Sequence, residues 1–129
     1  ILGGFLESLG CDGVRVNFDP ANLVMCSGDN DLAAAVHRLQ KYIVHTHAKD
    51  GKQLYYKDPE IIYGLVKDSL VTGPSFLEVP LGEGQVPWEK YLNALEDIGY
   101  KGFLTIEREV GDDPAKDIRS AVEFLEKLG

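Results

Sequence analysis

Apolar positions recur along the chain in two rhythms, one near 3.6 residues and one near two. Residues 2–9 (LGGFLESL) read as the end of a helix closed by Gly10. Residues 14–18 (VRVNF) alternate as a strand and stop at Asp19-Pro20. Over residues 31–42, Leu32, Ala35, Val36, Leu39 and Tyr42 share one helical face. The run IVHTH, residues 43–47, is β-branched at 43, 44 and 46 and predicts a second strand.

Pro87 then opens a helix, with Trp88, Tyr91, Leu92, Leu95 and Ile98 on one face and Gly99 closing it. Residues 103–106 (FLTI) predict a strand that ends in Glu107. Asp113-Pro114 supplies an N-cap and a first-turn proline for the final helix. Its apolar face carries Ile118, Ala121, Val122, Leu125 and Leu128.

Between the second strand and Pro87 the pattern weakens. Lys52 to Asp58 is polar and aromatic, Ile61 to Leu70 predicts a short helix, and Thr72-Gly73-Pro74 breaks it. Residues 76–79 (FLEV) are extended, as a short strand or as part of one long loop. A loop of that length is unusual unless it serves function. The order is helix, strand, helix, strand, long loop, helix, strand, helix. Strands alternating with helices predict parallel βαβ units with right-handed crossovers.

Composition narrows the setting. The 13 basic and 21 acidic residues give a net charge of −8, which argues against a nucleic-acid partner. No window holds the roughly 18 apolar residues of a membrane span, and no signal peptide is visible. Cys11 and Cys26 form no disulfide framework and lie in no metal spacing. They read as free, buried thiols in a reducing, cytoplasmic setting. At 129 residues the chain is shorter than the roughly 250 of a complete TIM barrel.

The chemistry lies in where the strands end. VRVNF runs into Asp19, IVHTH ends in His47, and FLTI runs into Glu107. In a parallel α/β sheet all carboxyl ends share one edge, and ligands bind there. Three side chains distant in sequence therefore converge. One imidazole and two carboxylates suit Mn²⁺, Co²⁺, Zn²⁺ or Mg²⁺. Singly, each has a plainer reading: Asp19 as a turn initiator before Pro20, His47 as a hydrogen-bonded structural histidine, and Glu107 as an exposed charge beside Arg108.

The segments NFDPAN (17–22), HTHAKD (45–50), PLGEGQVPW (80–88) and GYKGFLTIERE (99–109), in that order, resemble the sugar phosphate isomerase/epimerase family. This family belongs to the xylose isomerase-like TIM barrel superfamily. The resemblance covers about residues 5–128 and implies an α/β fold that is a partial (β/α)8 barrel. It holds roughly the last three βα units, with parallel strands. It implies that residues 1–129 are the C-terminal half of one barrel domain, a fragment or part of a split chain. Asp19, His47 and Glu107 match three of the family's four metal ligands. The fourth, a glutamate, would lie upstream of Ile1.

The resemblance also implies chemistry. A divalent metal grips a carbonyl and an adjacent hydroxyl of an open-chain sugar or sugar phosphate, and a proton moves through an enediolate. Glu107 is then both ligand and acid–base residue. With its partner glutamate absent, the isolated chain is expected to be inactive. Asn22, His45 and Lys49 are the candidate substrate contacts. Their plainer readings are a cap for Asn22, a structural role for His45 and a solvated lysine at 49.

Asp50 is expected to bond loop backbone, and Gly82 and Gly84 to form a tight turn or cradle a phosphate. Arg108 is expected to pair with a carboxylate, and Trp88 and Tyr91 to pack in the core. A lyase or dehydratase on the same metal-binding barrel is the alternative, as is a non-catalytic binding domain. Unpaired strand edges predict association with a missing half or a second copy.

Overall fold

The computed structural model describes residues 1–67 and 73–129. Helix α1 (Leu2–Leu9) ends at Gly10, whose φ of 57° gives the expected left-handed cap. Strand β1 (Val16–Phe18) follows, then one turn, α2 (Pro20–Asn22), and a wide π-type turn over Leu23–Ser27. Helix α3 (Leu32–Leu39) passes through a 3-10 turn into β2 (Ile43–Ala48). Strand β3 (Asp50–Gln53), a single turn α4 (Pro59–Ile62) and β4 (Phe76–Val79) come next. Helix α5 (Trp88–Asp97), β5 (Leu104–Ile106) and α6 (Pro114–Leu128) complete the chain.

Strands β1, β2 and β5 form a parallel sheet in that order. Asn17 lies beside His45, and His47 beside Thr105. Because side chains alternate across a strand, one face carries Val16, Phe18, Thr46 and Ala48, all buried. The other carries Asn17, His45, His47 and Thr105, which remain partly or fully exposed. The sheet is an open arc and closes no barrel.

Its buried face packs under α3 and α5. Tyr91 and Val36 are fully buried, and the Phe18 and Tyr91 rings stack at 5.7 Å between centroids. Trp88 meets Tyr91 and Phe124 edge-on. The packing of Trp88 and Tyr91 follows the sequence reading.

Several expectations need correction. Residues 76–79 are the short strand of the two readings offered, and residues 50–53, expected as loop, are its antiparallel partner, with Asp50 opposite Val79 and Gln53 opposite Phe76. The helix expected over 61–70 is one turn ending at Ile62, and residues 68–72, with Leu70 and Thr72, lie outside the described residues. On α6 the buried stripe is rotated. Ala121 is buried and Phe124 packs on Trp88, while Ile118 and Val122 are exposed. Trp88 fixes which α6 face turns inward. Cys11 is exposed, and Cys26 is buried as expected.

Candidate metal centre

The parallel register brings the three strand-end side chains together. His47 Nδ1 lies 3.1 Å from Glu107 Oε2 and 3.4 Å from Asp19 Oδ2. One ligand atom from each of the three falls within 4.8 Å of the others. All three residues are half-buried. This is the convergence expected from the strand ends.

Each ligand is braced. Asp19 is the N-cap of α2, with Oδ1 accepting the Asn22 N–H at 2.9 Å. Asn22 Nδ2 donates to Asp19 Oδ2, also at 2.9 Å. Asn22 is therefore not the cap expected of it: its own side chain caps no helix end, and both its backbone and side-chain N–H groups hold the Asp19 carboxylate instead. The Asn17 side-chain amide meets His47 Nε2 at 3.0 Å. That leaves Nδ1 as the nitrogen facing the carboxylates. As placed, Asn17 Nδ2 donates to Nε2; an Nε2–H would need the amide turned over to present Oδ1. Asn17 was not singled out from sequence, although its parity with Asp19 on the strand was the available signal.

His45 lies one level below. Its Nε2 is 2.9 Å from Thr105 Oγ1, and its ring meets His47 edge-on at 5.8 Å. It lines the same face as the triad.

Lys49 is not solvated. It is 3% exposed and sits among Glu78 at 3.3 Å, Glu107 at 3.2 Å and Glu109. Burial lowers the proton affinity of its ammonium. Hydrogen bonds to Glu109 and Glu107, with the charge of Glu78, overcome that and hold its pKa above the usual lysine value. The Lys49 hydrogen bond in turn pulls the Glu109 carboxyl below its usual range. Arg108 makes the expected pair twice over, to Asp117 at 2.7 Å and Glu78 at 2.9 Å. Glu78 and Glu109 escaped the sequence reading because the strand pair that places Glu78 was not recognised.

Asp50 is fully buried and bonds loop backbone as expected. Its Oδ2 accepts from the Gly82 and Gly84 amides and from Trp88 Nε1, and its Oδ1 from Gly51 and Val86. The glycine loop therefore cradles an anion, and that anion is Asp50 rather than a phosphate. Gly84 is required because an added Cβ would fall on Asp50 Oδ1.

The family model described as xylose isomerase-like TIM barrel matches residues 3–128. The chain belongs to that family. An inosose dehydratase of Lacticaseibacillus casei is 32% identical over 109 residues, covering 81% of this chain and 33% of that protein. One from Histophilus somni is 30% identical over 124 residues, covering 90% of this chain and 37% of that protein. A xylose isomerase domain protein from Planctomyces limnophilus superposes with a TM-score of 0.75 at 34% identity, covering 98% of this chain and 42% of that one. A D-tagatose 3-epimerase-like protein shares the fold, with a TM-score of 0.58 at 24% identity.

The chain thus spans about a third to two fifths of the length of these relatives. The open three-stranded arc is the corresponding part of such a barrel. Among the described residues no helix is long and apolar enough to cross a membrane.

Proposed function

We propose that this chain carries the metal-binding part of an enzyme that moves a proton next to the carbonyl of a sugar-like substrate. The observation that carries this reading is the Asp19–His47–Glu107 cluster at the carboxyl edge of the sheet. Its donor set, one imidazole nitrogen and two carboxylate oxygens, fits Mn²⁺, Co²⁺, Zn²⁺ or Mg²⁺. Such an ion supplies Lewis-acid stabilisation of negative charge on a substrate oxygen. Asp19 and His47 hold it, and Asn22 and Asn17 keep them oriented.

Glu107 is the acid–base residue. Its carboxylate takes the proton from the carbon beside the carbonyl, leaving an enediolate. Positioned proton transfer of this kind gives about 10²- to 10⁴-fold. Returning the proton to the opposite face gives an epimer, and to the neighbouring carbon an isomer. Loss of a β-hydroxyl as water gives dehydration. His45 and Asn22 line the face on which the substrate lies. The isomerase/epimerase outcome follows from the motif resemblance. The dehydratase outcome is favoured by the relatives named inosose dehydratase.

On this reading the chain holds roughly the last three βα units of a barrel, in a reducing, cytoplasmic setting, and works on a sugar or sugar phosphate. Among the described residues strands β1 and β5 have unpaired outer edges, and Phe103, Ile118 and Val122 are exposed. The chain therefore associates with complementary strands or with a second copy, and turnover by the isolated chain is negligible. Sedimentation across a concentration series reads the association. The chemistry is read in D₂O with Mn²⁺ and a panel of ketoses, aldoses and cyclic polyhydroxy ketones, using the full-length protein. Deuterium entering beside the carbonyl marks isomerase or epimerase, and an unsaturated ketone absorbing in the ultraviolet marks dehydratase. Neither signal on any panel member would refute proton transfer. An active, monomeric 129-residue preparation would refute the need for association.

A further inference from the structure

Taking an ammonium out of water costs several kcal/mol unless it is fully paired. Lys49 is 3% exposed, and its partners come from separate stretches of chain. Glu78 lies on β4, Glu107 follows β5, and Glu109 lies two residues further on. Three carboxylates face an ammonium that has three N–H donors, so none is left for a substrate phosphate. The position of Glu78 is over-determined. Its Oε1 accepts from Arg108 at 2.9 Å and from the Glu109 amide at 2.9 Å, while Oε2 faces Lys49.

One atom links this cluster to the metal centre. Glu107 Oε2 is 3.2 Å from Lys49 Nζ and 3.1 Å from His47 Nδ1. The ammonium and the metal place thus lie side by side and share a carboxylate oxygen. Two cations bridged by a carboxylate, each with further carboxylates of its own, is the plan of two-metal hydrolytic and transfer centres. Here one of the two positions is filled by a lysine.

We infer that Lys49 is a built-in cation that occupies the second position and holds the centre to a single divalent ion. This rests on the metal reading of Asp19, His47 and Glu107 given above. Lys49 is a positioning residue: it sets the number of ions and touches neither ion nor substrate. Without it, Glu78, Glu107 and Glu109 would point their oxygens at a vacant, strongly negative spot, and a second divalent ion is the cheapest way to neutralise it. A single ion with open positions grips a carbonyl and hydroxyl for proton transfer, whereas paired ions suit in-line displacement at phosphorus.

The test counts ions on this chain. Wild type, Lys49→Arg, Lys49→Met and the double variant Lys49→Met/Glu109→Gln are equilibrated with Mn²⁺, and bound metal is measured by mass spectrometry and titration calorimetry. Wild type and Lys49→Arg should hold one ion. Lys49→Met should hold two, with the exchange-coupled electron paramagnetic resonance signal of a close Mn²⁺ pair. The double variant should return to one.

Lys49→Met binding one ion with wild-type affinity would overturn the inference and leave the metal centre standing. A wild-type chain that binds no ion would instead overturn the centre itself. If Lys49→Met melts early, its Tm in Mn²⁺ and in Na⁺ decides. A rise with Mn²⁺ larger than that of wild type supports the inference, and a rise equal to that of wild type refutes it.

Discussion

Two carboxylates near the same sheet edge have opposite fates. Asp50 is fully buried and receives five N–H donors, from Gly51, Gly82, Gly84, Val86 and Trp88. Its hydrogen-bonding capacity is filled by the protein. Asp19 takes two donors, both from Asn22, and still turns Oδ2 toward His47 and Glu107. The first is a structural anion that organises a loop; the second is one of three side chains that converge at the strand ends. Acidity and proximity to the active edge do not separate them. What separates them is how completely protein N–H groups enclose each carboxylate.

The contrast is broken most severely at Asp50. Asp50→Ala takes this acceptor from four backbone amides and the indole N–H, and removing one partner of a buried charged group costs about 3–5 kcal/mol. Urea denaturation should show that loss; a variant within about 1 kcal/mol of wild type would mean the loop is held otherwise. At the metal centre the expected loss is in binding, not folding. His47→Ala and Asp19→Ala should lower Mn²⁺ affinity by more than the ~10- to 100-fold typical of outer partners. Their unfolding free energy should change by about 1 kcal/mol, the size of a lost cap at Asp19. Equal metal content in wild type and both variants would remove the centre.

Smaller effects sharpen the same division. Trp88→Phe deletes one donor to Asp50 and keeps the ring, so stability should fall by about 1.5–3 kcal/mol with metal affinity unchanged. Asn17→Ala should do the reverse, lowering metal affinity by ~10- to 100-fold while the melting curve stays in place. Calorimetric titration beside thermal denaturation measures both variants. A Trp88→Phe chain that lost metal, or an Asn17→Ala chain that lost stability, would join regions here held apart.

Much of this was written in the strands. The alternation in VRVNF and IVHTH, and the polar residue closing each run, located Asp19, His47 and Glu107 because parallel strands align their carboxyl ends. The antiparallel pair was hidden. DGKQ and FLEV pair through backbone, and DGKQ has no apolar alternation to announce a strand. That omission carried Glu78 with it and made Lys49 read as a solvated side chain. A lysine is buried only when acids arrive to meet it, and these arrive from 29, 58 and 60 residues away. The α6 stripe misled for a similar reason. Helical periodicity finds an apolar face, but Trp88 chose which edge of it to cover.

The strand order has a kinetic side. Strand β2 is hydrogen-bonded on both flanks, whereas β1 and β5 each have one partner in the parallel sheet. Amide hydrogens of β2 should therefore exchange with D₂O last, and those of the two flanking strands earlier, as each frays from its open side. His47 rides on the slowest-opening strand.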